Sequence, residues 1–85
     1  MAVEILYFAW VREQVGVPSE TIEPPTDVRD VAGLIAWLST RSPGHAAAFA
    51  DTGRLRAAID QAFVPLDAPI AGAREIAIFP PVTGG

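Results

Sequence analysis

The chain has 85 residues, no cysteine, a hydrophobic fraction of 51% and a formal net charge of −4. A chain of this length forms one small domain, which buries roughly 60–65% of the surface of its unfolded form. Without cysteine it has neither a disulfide nor a thiolate metal site, and its single histidine, His45, cannot hold a metal alone. All six basic residues are arginines, set against ten acidic residues, which argues against binding to nucleic acid or to anionic membranes.

No targeting or membrane-spanning segment is predicted. The N-terminus has no basic region, and the longest apolar stretch, residues 5–11, is much shorter than the ~20 residues that span a bilayer. We therefore expect a cytoplasmic protein.

The first half of the chain is predicted to form two strands and a long helix. Residues rich in strand formers predict strands over 3–9 and 19–23, paired antiparallel, with a short helical turn ending at Gly16 between them. Apolar residues at three- and four-residue steps then predict the main helix, capped by Thr26 or Asp27.

The second half is predicted to complete one sheet around that helix. Residues 45–50 predict a second, alanine-rich helical piece, residues 55–64 a third strand and residues 74–79 the final strand, with turns around a very short segment at Ile70. This element order predicts an α+β fold of the β-grasp (ubiquitin-like) type, a mixed sheet wrapped over one main helix. The final strand should be central and parallel to the first.

The C-terminus is the segment most indicative of function. No side chain stands near the carboxylate of Gly84-Gly85, so this end can enter a channel too narrow for a Cβ atom. Pro80-Pro81 fixes the backbone and lacks two N–H donors, so the preceding strand cannot continue and the tail should leave the body extended. We divide the chain into a β-grasp domain over residues 1–81 and an extended tail over residues 82–85.

Alternation along the strands predicts an exposed apolar face beside the tail. Phe8 shares a face with Leu6 in the first strand, and Phe79 lies on the outer face of the last strand. If these strands are neighbours, Phe8 and Phe79 join in a patch of the kind that contacts partners. Phe63 is a further candidate whose face depends on a possible bulge. The alternative is that a loop or helix covers these side chains.

The remaining polar and aromatic residues have simpler interpretations. We expect His45 to be a solvated or capping side chain, because a general base needs partners that the sequence does not supply. Arg12 and Glu13 are interpreted as a surface or turn-fixing pair. Trp10 and Trp37 are interpreted as core or edge packing, since neither lies in a basic aromatic array.

Three blocks of the sequence resemble the molybdopterin synthase small-subunit (MoaD) family of sulfur carriers. They are residues 5–16, residues 57–64 and, close to residue by residue, residues 75–85, which end in Phe-Pro-Pro-Val-Thr-Gly-Gly. The chain departs from the family pattern at Asp60, where asparagine is frequent, and at residues 73–74, where a Gly-Asp turn is usual. These departures concern the geometry of a turn.

The resemblance implies a chemistry centred on Gly85. An ATP-dependent adenylating (E1-like) enzyme would activate this residue, and a sulfur donor would convert it into a C-terminal thiocarboxylate, or 1-thioglycine. The thiocarboxylate would donate sulfur to cyclic pyranopterin monophosphate in the large subunit of molybdopterin synthase. That subunit would supply the catalytic residues, with no cofactor or metal bound to this chain, in a heterotetramer built on a large-subunit dimer.

The resemblance also assigns roles to the residues around the tail. The residues that would thread the partner channel are Val82, Thr83 and Gly84. Pro80 and Pro81 would orient the tail. The apolar patch predicted above from strand alternation, with Phe8, Phe79 and the further candidate Phe63, would contact the partner.

Two alternative functions stay open. The chain could be a sulfur carrier for another pathway, such as thiamine synthesis, tRNA thiolation by a ubiquitin-like modifier, or tungsten cofactor synthesis. It could also be a β-grasp interaction module with an inert tail. Deleting Gly84-Gly85 would abolish the activity of a carrier but not that of an interaction module.

Overall fold

The computed structural model describes residues 2–81, which form a five-stranded mixed sheet packed against short helices. Met1 and the predicted tail over residues 82–85 lie outside the described residues. The strands are β1 (Val3–Tyr7), β2 (Ser19–Ile22), β3 (Arg56–Ile59), β4 (Ala62–Val64) and β5 (Glu75–Phe79). The helices are α1 (Ala9–Val15), α2 (Val31–Leu38) and α3 (Pro43–Ala48), and a 3₁₀ turn (Thr52–Arg54) precedes β3.

The strand order in the sheet is β2-β1-β5-β3-β4. The last strand, β5, is central, pairing parallel with β1 and antiparallel with β3. β1 pairs antiparallel with β2, as its position in the sequence predicts. The predicted α+β fold of the β-grasp type is therefore confirmed.

The core lies between the inner face of the sheet and α2. Alternation in β1 and β5 turns alternate residues inward, because successive side chains of a strand point to opposite faces. The fully buried side chains of the sheet and of α2 include Ile5, Tyr7, Ile76, Ile78, Leu34, Ile35 and Leu38. Each buried aliphatic side chain of this size contributes about 1.5–3 kcal/mol, which suits a small domain without disulfides.

The main helix begins later than the sequence pattern predicts. Its cap is Asp30, whose carboxylate accepts a hydrogen bond from the backbone N–H of Gly33 at 2.7 Å. The predicted caps, Thr26 and Asp27, lie in the loop before it. The chain is extended at Asp30, which forms an isolated bridge with Pro69, and this pairing delays the start of the helix.

The predicted third strand is two strands joined by a tight hairpin. Asp60 and Gln61 connect β3 to β4, and both have positive φ, at 48° and 72°. Positive φ at both central residues is the geometry of a two-residue hairpin, which reverses the chain where the sequence pattern predicted a continuous strand. The Asp60 carboxylate accepts hydrogen bonds from the backbone N–H groups of Arg74 and Glu75, each at 3.0 Å, and so ties the hairpin to the start of β5.

The two short helices α1 and α3 pack closely together. A Cβ atom at Gly44 would lie 2.3 Å from the backbone oxygen of Gln14, so only glycine fits at this contact. Gly16 ends α1 in the left-handed conformation, with φ of 99°, as the sequence predicts. Within residues 2–81, no helix has the length and apolar character needed to cross a membrane.

Candidate functional site

The outer face of the sheet carries a shallow apolar depression of about 450 Å³. We call its apolar residues the outer-face patch: Leu6, Phe8, Ala58, Phe63, Ala77, Phe79 and Pro80. Phe63 is 82% exposed and Phe8 is 46% exposed, so no helix or loop of the described chain covers them. The structure thus brings together the three phenylalanines that the sequence analysis named as partner contacts.

The register of the sheet explains how the patch forms. Phe63 faces Ala58 in the β3–β4 pair, and Ala58 faces Ala77 in the β3–β5 pair. Because directly paired residues lie on the same face of a sheet, these side chains share the outer face. The rings of Phe63 and Phe79 meet at a centroid distance of 5.7 Å. The hairpin therefore decides the position of Phe63, which the sequence alone left open.

The outer-face patch lies at the end of the sheet where the chain leaves it. β5 ends at Phe79, and Pro80 and Pro81 follow directly. Pro80 still lines the patch. The segment that the sequence analysis assigned to the partner channel, residues 82–85, lies outside the described residues, so its predicted role stays a prediction.

A buried polar cluster lies on the inner face of the sheet, the face opposite to the outer-face patch. The Tyr7 hydroxyl donates a hydrogen bond to Glu20 Oε2 at 2.6 Å, and His45 Nε2 lies 2.6 Å from the same oxygen. On its other side, His45 Nδ1 lies 2.7 Å from the Ser42 hydroxyl. Arg41 Nη2 lies 3.6 Å from Glu20 Oε1. This cluster connects β1, β2 and α3.

The expectation that His45 is a solvated or capping side chain was wrong. His45 is 7% exposed and packs against the rings of Tyr7 and Phe49, each at about 6 Å between centroids. Ser42 provides the cap of α3 instead, since its hydroxyl accepts a hydrogen bond from the His45 backbone N–H. The partners of the imidazole come from residues distant in the sequence, and for this reason local pattern did not reveal them.

The cluster shifts the acid–base behaviour of two of its members. Burial, followed by the hydrogen bond to Glu20 and the charge of that carboxylate, raises the pKa of the Tyr7 hydroxyl far above its ordinary range. Partial burial of Glu20 acts to raise its pKa, but hydrogen bonds from Tyr7 and His45 and the nearby Arg41 outweigh it and lower the pKa. The cluster therefore favours an ionised Glu20 beside a neutral Tyr7.

Both tryptophans pack at the edges of the core, as predicted. The guanidinium of Arg54 lies 4.8 Å from the ring centroid of Trp10, and that of Arg41 lies 5.2 Å from the ring centroid of Trp37. Arg12 and Glu13, interpreted from the sequence as a surface or turn-fixing pair, form no salt bridge with each other in the described part of the chain.

Comparison with known proteins identifies the family of this chain. The model of the ThiS family matches residues 5–85. The molybdopterin synthase sulfur carrier subunit of Escherichia coli is 40% identical over 83 residues, covering 98% of this chain and 99% of the relative. The chain therefore belongs to the ThiS family, a class of proteins whose fold is the one described above.

Two solved structures agree with this assignment. A putative molybdopterin converting factor subunit 1 from Pyrococcus furiosus matches with a TM-score of 0.76 at 27% identity, covering 96% of this chain and 99% of that one. A chain from the complex of subunits 1 and 2 of the molybdopterin-converting factor of Helicobacter pylori matches with a TM-score of 0.62 at 25% identity, covering all of both chains.

Proposed function

We propose that this chain is the sulfur carrier subunit of a molybdopterin synthase and carries sulfur as a thiocarboxylate on Gly85. The observation that carries this conclusion is its end-to-end similarity, at 40% identity, to a relative of that name. The match to the ThiS family model also extends to residue 85, and so includes the terminal Gly84-Gly85.

The terminal carboxylate has to be activated before it can accept sulfur. An α-carboxyl group with a pKa of about 3.3–3.7 is ionised in the cell, and its negative charge repels nucleophiles. An ATP-dependent adenylating enzyme would join the carboxylate oxygen of Gly85 to AMP and release pyrophosphate. Hydrosulfide, the simplest sulfur donor, would then attack the acyl carbon, and AMP would leave with the bridging oxygen. The product is a thiocarboxylate, which can transfer its sulfur to cyclic pyranopterin monophosphate.

In the proposed synthase, this chain would carry the sulfur and a second, large subunit would supply the catalytic groups. The described residues contain no group of three histidine, cysteine or acidic side chains placed to hold a metal. From the family resemblance, we assign the pterin site and the catalytic acids and bases to a large subunit. The Helicobacter pylori relative comes from a complex of subunits 1 and 2, which supports such a partner. By the same resemblance we propose a heterotetramer, with two copies of this chain on a large-subunit dimer.

The outer-face patch is the proposed contact surface for that partner. It is apolar, exposed and adjacent to the residues from which the tail departs. Burying it against a partner would contribute roughly 25 cal/mol per Å² of apolar area, before the costs of association. Its position would let one partner hold the domain and receive the tail at the same time.

The intact mass of the protein tests the carrier chemistry directly. The protein is incubated with ATP, a sulfide source and the adenylating enzyme from the same organism. We expect a mass gain equal to the difference between sulfur and oxygen, mapped to the C-terminal peptide. The matched control lacks Gly84-Gly85 and should gain nothing. The product is then mixed with the large subunit and cyclic pyranopterin monophosphate, where we expect molybdopterin to form.

The alternatives predict different results. Formation of the thiocarboxylate without molybdopterin would indicate a carrier that serves another acceptor. Absence of any mass gain, with an enzyme that is active on a control carrier, would contradict the carrier function and favour an interaction module with an inert tail.

A further inference from the structure

Arg56 borders the outer-face patch at the end where β5 leaves the sheet. The Cα atoms of Arg56 and Phe79 are paired in the β3–β5 ladder, so Arg56 lies on the same face as Phe79. Arg56 also lines a recess of about 230 Å³ together with Phe63 and Phe79. Arg54 lies two residues earlier, in the 3₁₀ turn that leads into β3, and we call Arg54 and Arg56 the arginine corner.

Both side chains of the arginine corner are held in place by uncharged groups. Arg56 Nη1 donates hydrogen bonds to the backbone oxygens of Leu55, at 2.8 Å, and Gly53, at 3.4 Å. The guanidinium of Arg54 lies over the Trp10 ring. These contacts restrict the two side chains in advance and so reduce the entropy that a binding partner has to remove.

Neither arginine is neutralised within the described residues. The salt bridges found there all involve Glu20, and none includes Arg54 or Arg56. Asp51, the acidic residue that precedes this turn, instead accepts a hydrogen bond from the backbone N–H of Gly53 at 3.0 Å. Each guanidinium therefore keeps N–H donors available for an external acceptor, on a chain whose net charge is −4.

The charged residues also differ between the two ends of the patch. At the end away from the tail, Glu75 lines the patch and is paired in register with Glu4 of β1. Like charges on directly paired residues repel each other. Arg74 is the basic residue at that end, and its backbone N–H is bonded to Asp60. The patch thus has Arg56 at the end where β5 ends, and Glu4 and Glu75 beside Arg74 at its far end.

We propose that the arginine corner binds carboxylates of the large subunit that stand at the mouth of the channel receiving the tail. This inference rests on the proposed function. The partner chemistry it specifies is an apolar surface for the phenylalanines, with acidic side chains beside the channel mouth. Opposite charges there would attract the two subunits and orient the tail toward the channel. At physiological salt, charges act over about 8 Å, so this local attraction is not cancelled by distant acidic residues of the same chain.

Charge reversal tests the proposal in the rate of association with the large subunit. Arg56→Glu and Arg54→Glu are compared with Arg29→Glu, a matched control. Arg29 is exposed and lies before α2. Its backbone oxygen accepts a hydrogen bond from the backbone N–H of Ile70, and Ile70 lines a recess with Val3. Arg29 therefore lies at the end of the sheet away from the arginine corner. We expect Arg56→Glu to slow association about tenfold or more at low salt, Arg54→Glu to slow it by a smaller factor, and Arg29→Glu to change it by less than about twofold.

Salt and a conservative variant separate charge from structure. The association rate of the wild-type chain should fall as salt increases, and that of Arg56→Glu should fall much less. Arg56→Lys keeps the charge and should retain most of the rate. Melting temperatures are measured for every variant, and if Arg56→Glu is unfolded, the Arg54→Glu variant decides in its place.

Each remaining outcome contradicts a different statement. A charge-reversed corner that associates as fast as the wild-type chain, or an Arg29→Glu control that is slowed equally, would overturn the role of the corner while leaving the carrier function intact. A wild-type chain that neither binds the large subunit nor supplies it with sulfur would overturn the proposed function, and the arginine corner with it.

Discussion

The rings of Phe63 and Phe79 meet across β3, the strand that separates the two strands carrying them. Phe63 is paired in register with Ala58 and Phe79 with Arg56, and the two rings approach at 5.7 Å with an angle of 45° between them. Aromatic pairs at this distance are favourable by about 0.5–1.5 kcal/mol. Phe63 is thus held by a second surface residue and not by the core.

Phe63→Ala is expected to separate binding from folding. Because the side chain is 82% exposed, its removal should change the free energy of unfolding by less than about 1 kcal/mol. Truncating an aromatic side chain at the centre of an interface commonly weakens binding tenfold or more. We therefore expect the dissociation constant of the complex with the large subunit to rise about tenfold or more in Phe63→Ala. Calorimetric titration measures the affinity, and urea denaturation measures the stability.

A matched control for Phe63→Ala is Val17→Ala. Val17 is 41% exposed and lies outside the outer-face patch, in the loop before β2. It should bind like the wild-type chain. Unchanged binding by Phe63→Ala would contradict the assignment of the patch as the partner surface. Strand alternation offers the same test at Phe79, where Phe79→Arg should weaken binding without unfolding the domain.

The faces of the strands could be predicted from the sequence because they depend on local alternation, and the strand order followed from the order of the elements along the chain. Alternation in β1 and β5 identifies the outward position of Phe8 and Phe79, and the Pro80-Pro81 step identifies where the sheet ends. The hairpin at residues 60–61 could not be predicted in this way. Neither Asp60 nor Gln61 is glycine, and it is the hydrogen bonds from Arg74 and Glu75, distant in the sequence, that hold Asp60 in the turn.

The buried polar cluster was missed for a related reason. Tyr7, Glu20 and His45 belong to three separate elements, and each has an ordinary local interpretation as a strand or helix residue. The only sequence signal was a tyrosine hydroxyl on the inward face of β1, a group that needs a partner when it is buried. Only the packing of α3 against the β1–β2 pair shows that Glu20 and His45 meet that need.

The lowered pKa of Glu20 predicts how the protein responds to acid. A carboxylate whose folded pKa is depressed stabilises the fold above its unfolded pKa, near 4.3, and this contribution is lost as the pH falls through the folded pKa. Glu20→Gln should therefore lower stability at pH 7, by about 1–3 kcal/mol, because Tyr7 and His45 lose a charged acceptor. Toward pH 3 the wild-type chain and the variant should converge.

Thermal unfolding of both chains across this pH range is the measurement. Glu23→Gln is the control, since Glu23 is exposed just beyond β2 and forms no salt bridge in the described structure. It should follow the wild-type curve. A Glu20→Gln difference that stays constant from neutral to acidic pH would contradict the role of the ionised carboxylate.

The raised pKa of Tyr7 predicts the opposite response in alkali. A phenol whose folded pKa is raised stabilises the fold below its unfolded pKa, near 10, and this contribution is lost as the pH rises above that value. Tyr7 is the only tyrosine of the chain, so phenolate absorbance reports it alone. We expect the absorbance to rise only when circular dichroism shows unfolding. In Tyr7→Phe, stability should decline less steeply above pH 10, and ionisation of Tyr7 in a folded wild-type chain would contradict the prediction.

Gln61→Gly should stabilise the hairpin that presents Phe63. Gln61 has φ of 72°, a conformation that costs a non-glycine residue roughly 1–2 kcal/mol and that glycine adopts readily. After the greater flexibility of glycine in the unfolded chain is subtracted, we expect a gain of about 0.5–1 kcal/mol in the free energy of unfolding. Ala62→Gly, one residue further in β4, should lower stability instead, because a strand interior gains nothing from positive φ. Urea denaturation of the two variants decides the matter, since a loss of stability in both would mean that the Asp60–Gln61 turn is not held with positive φ in solution.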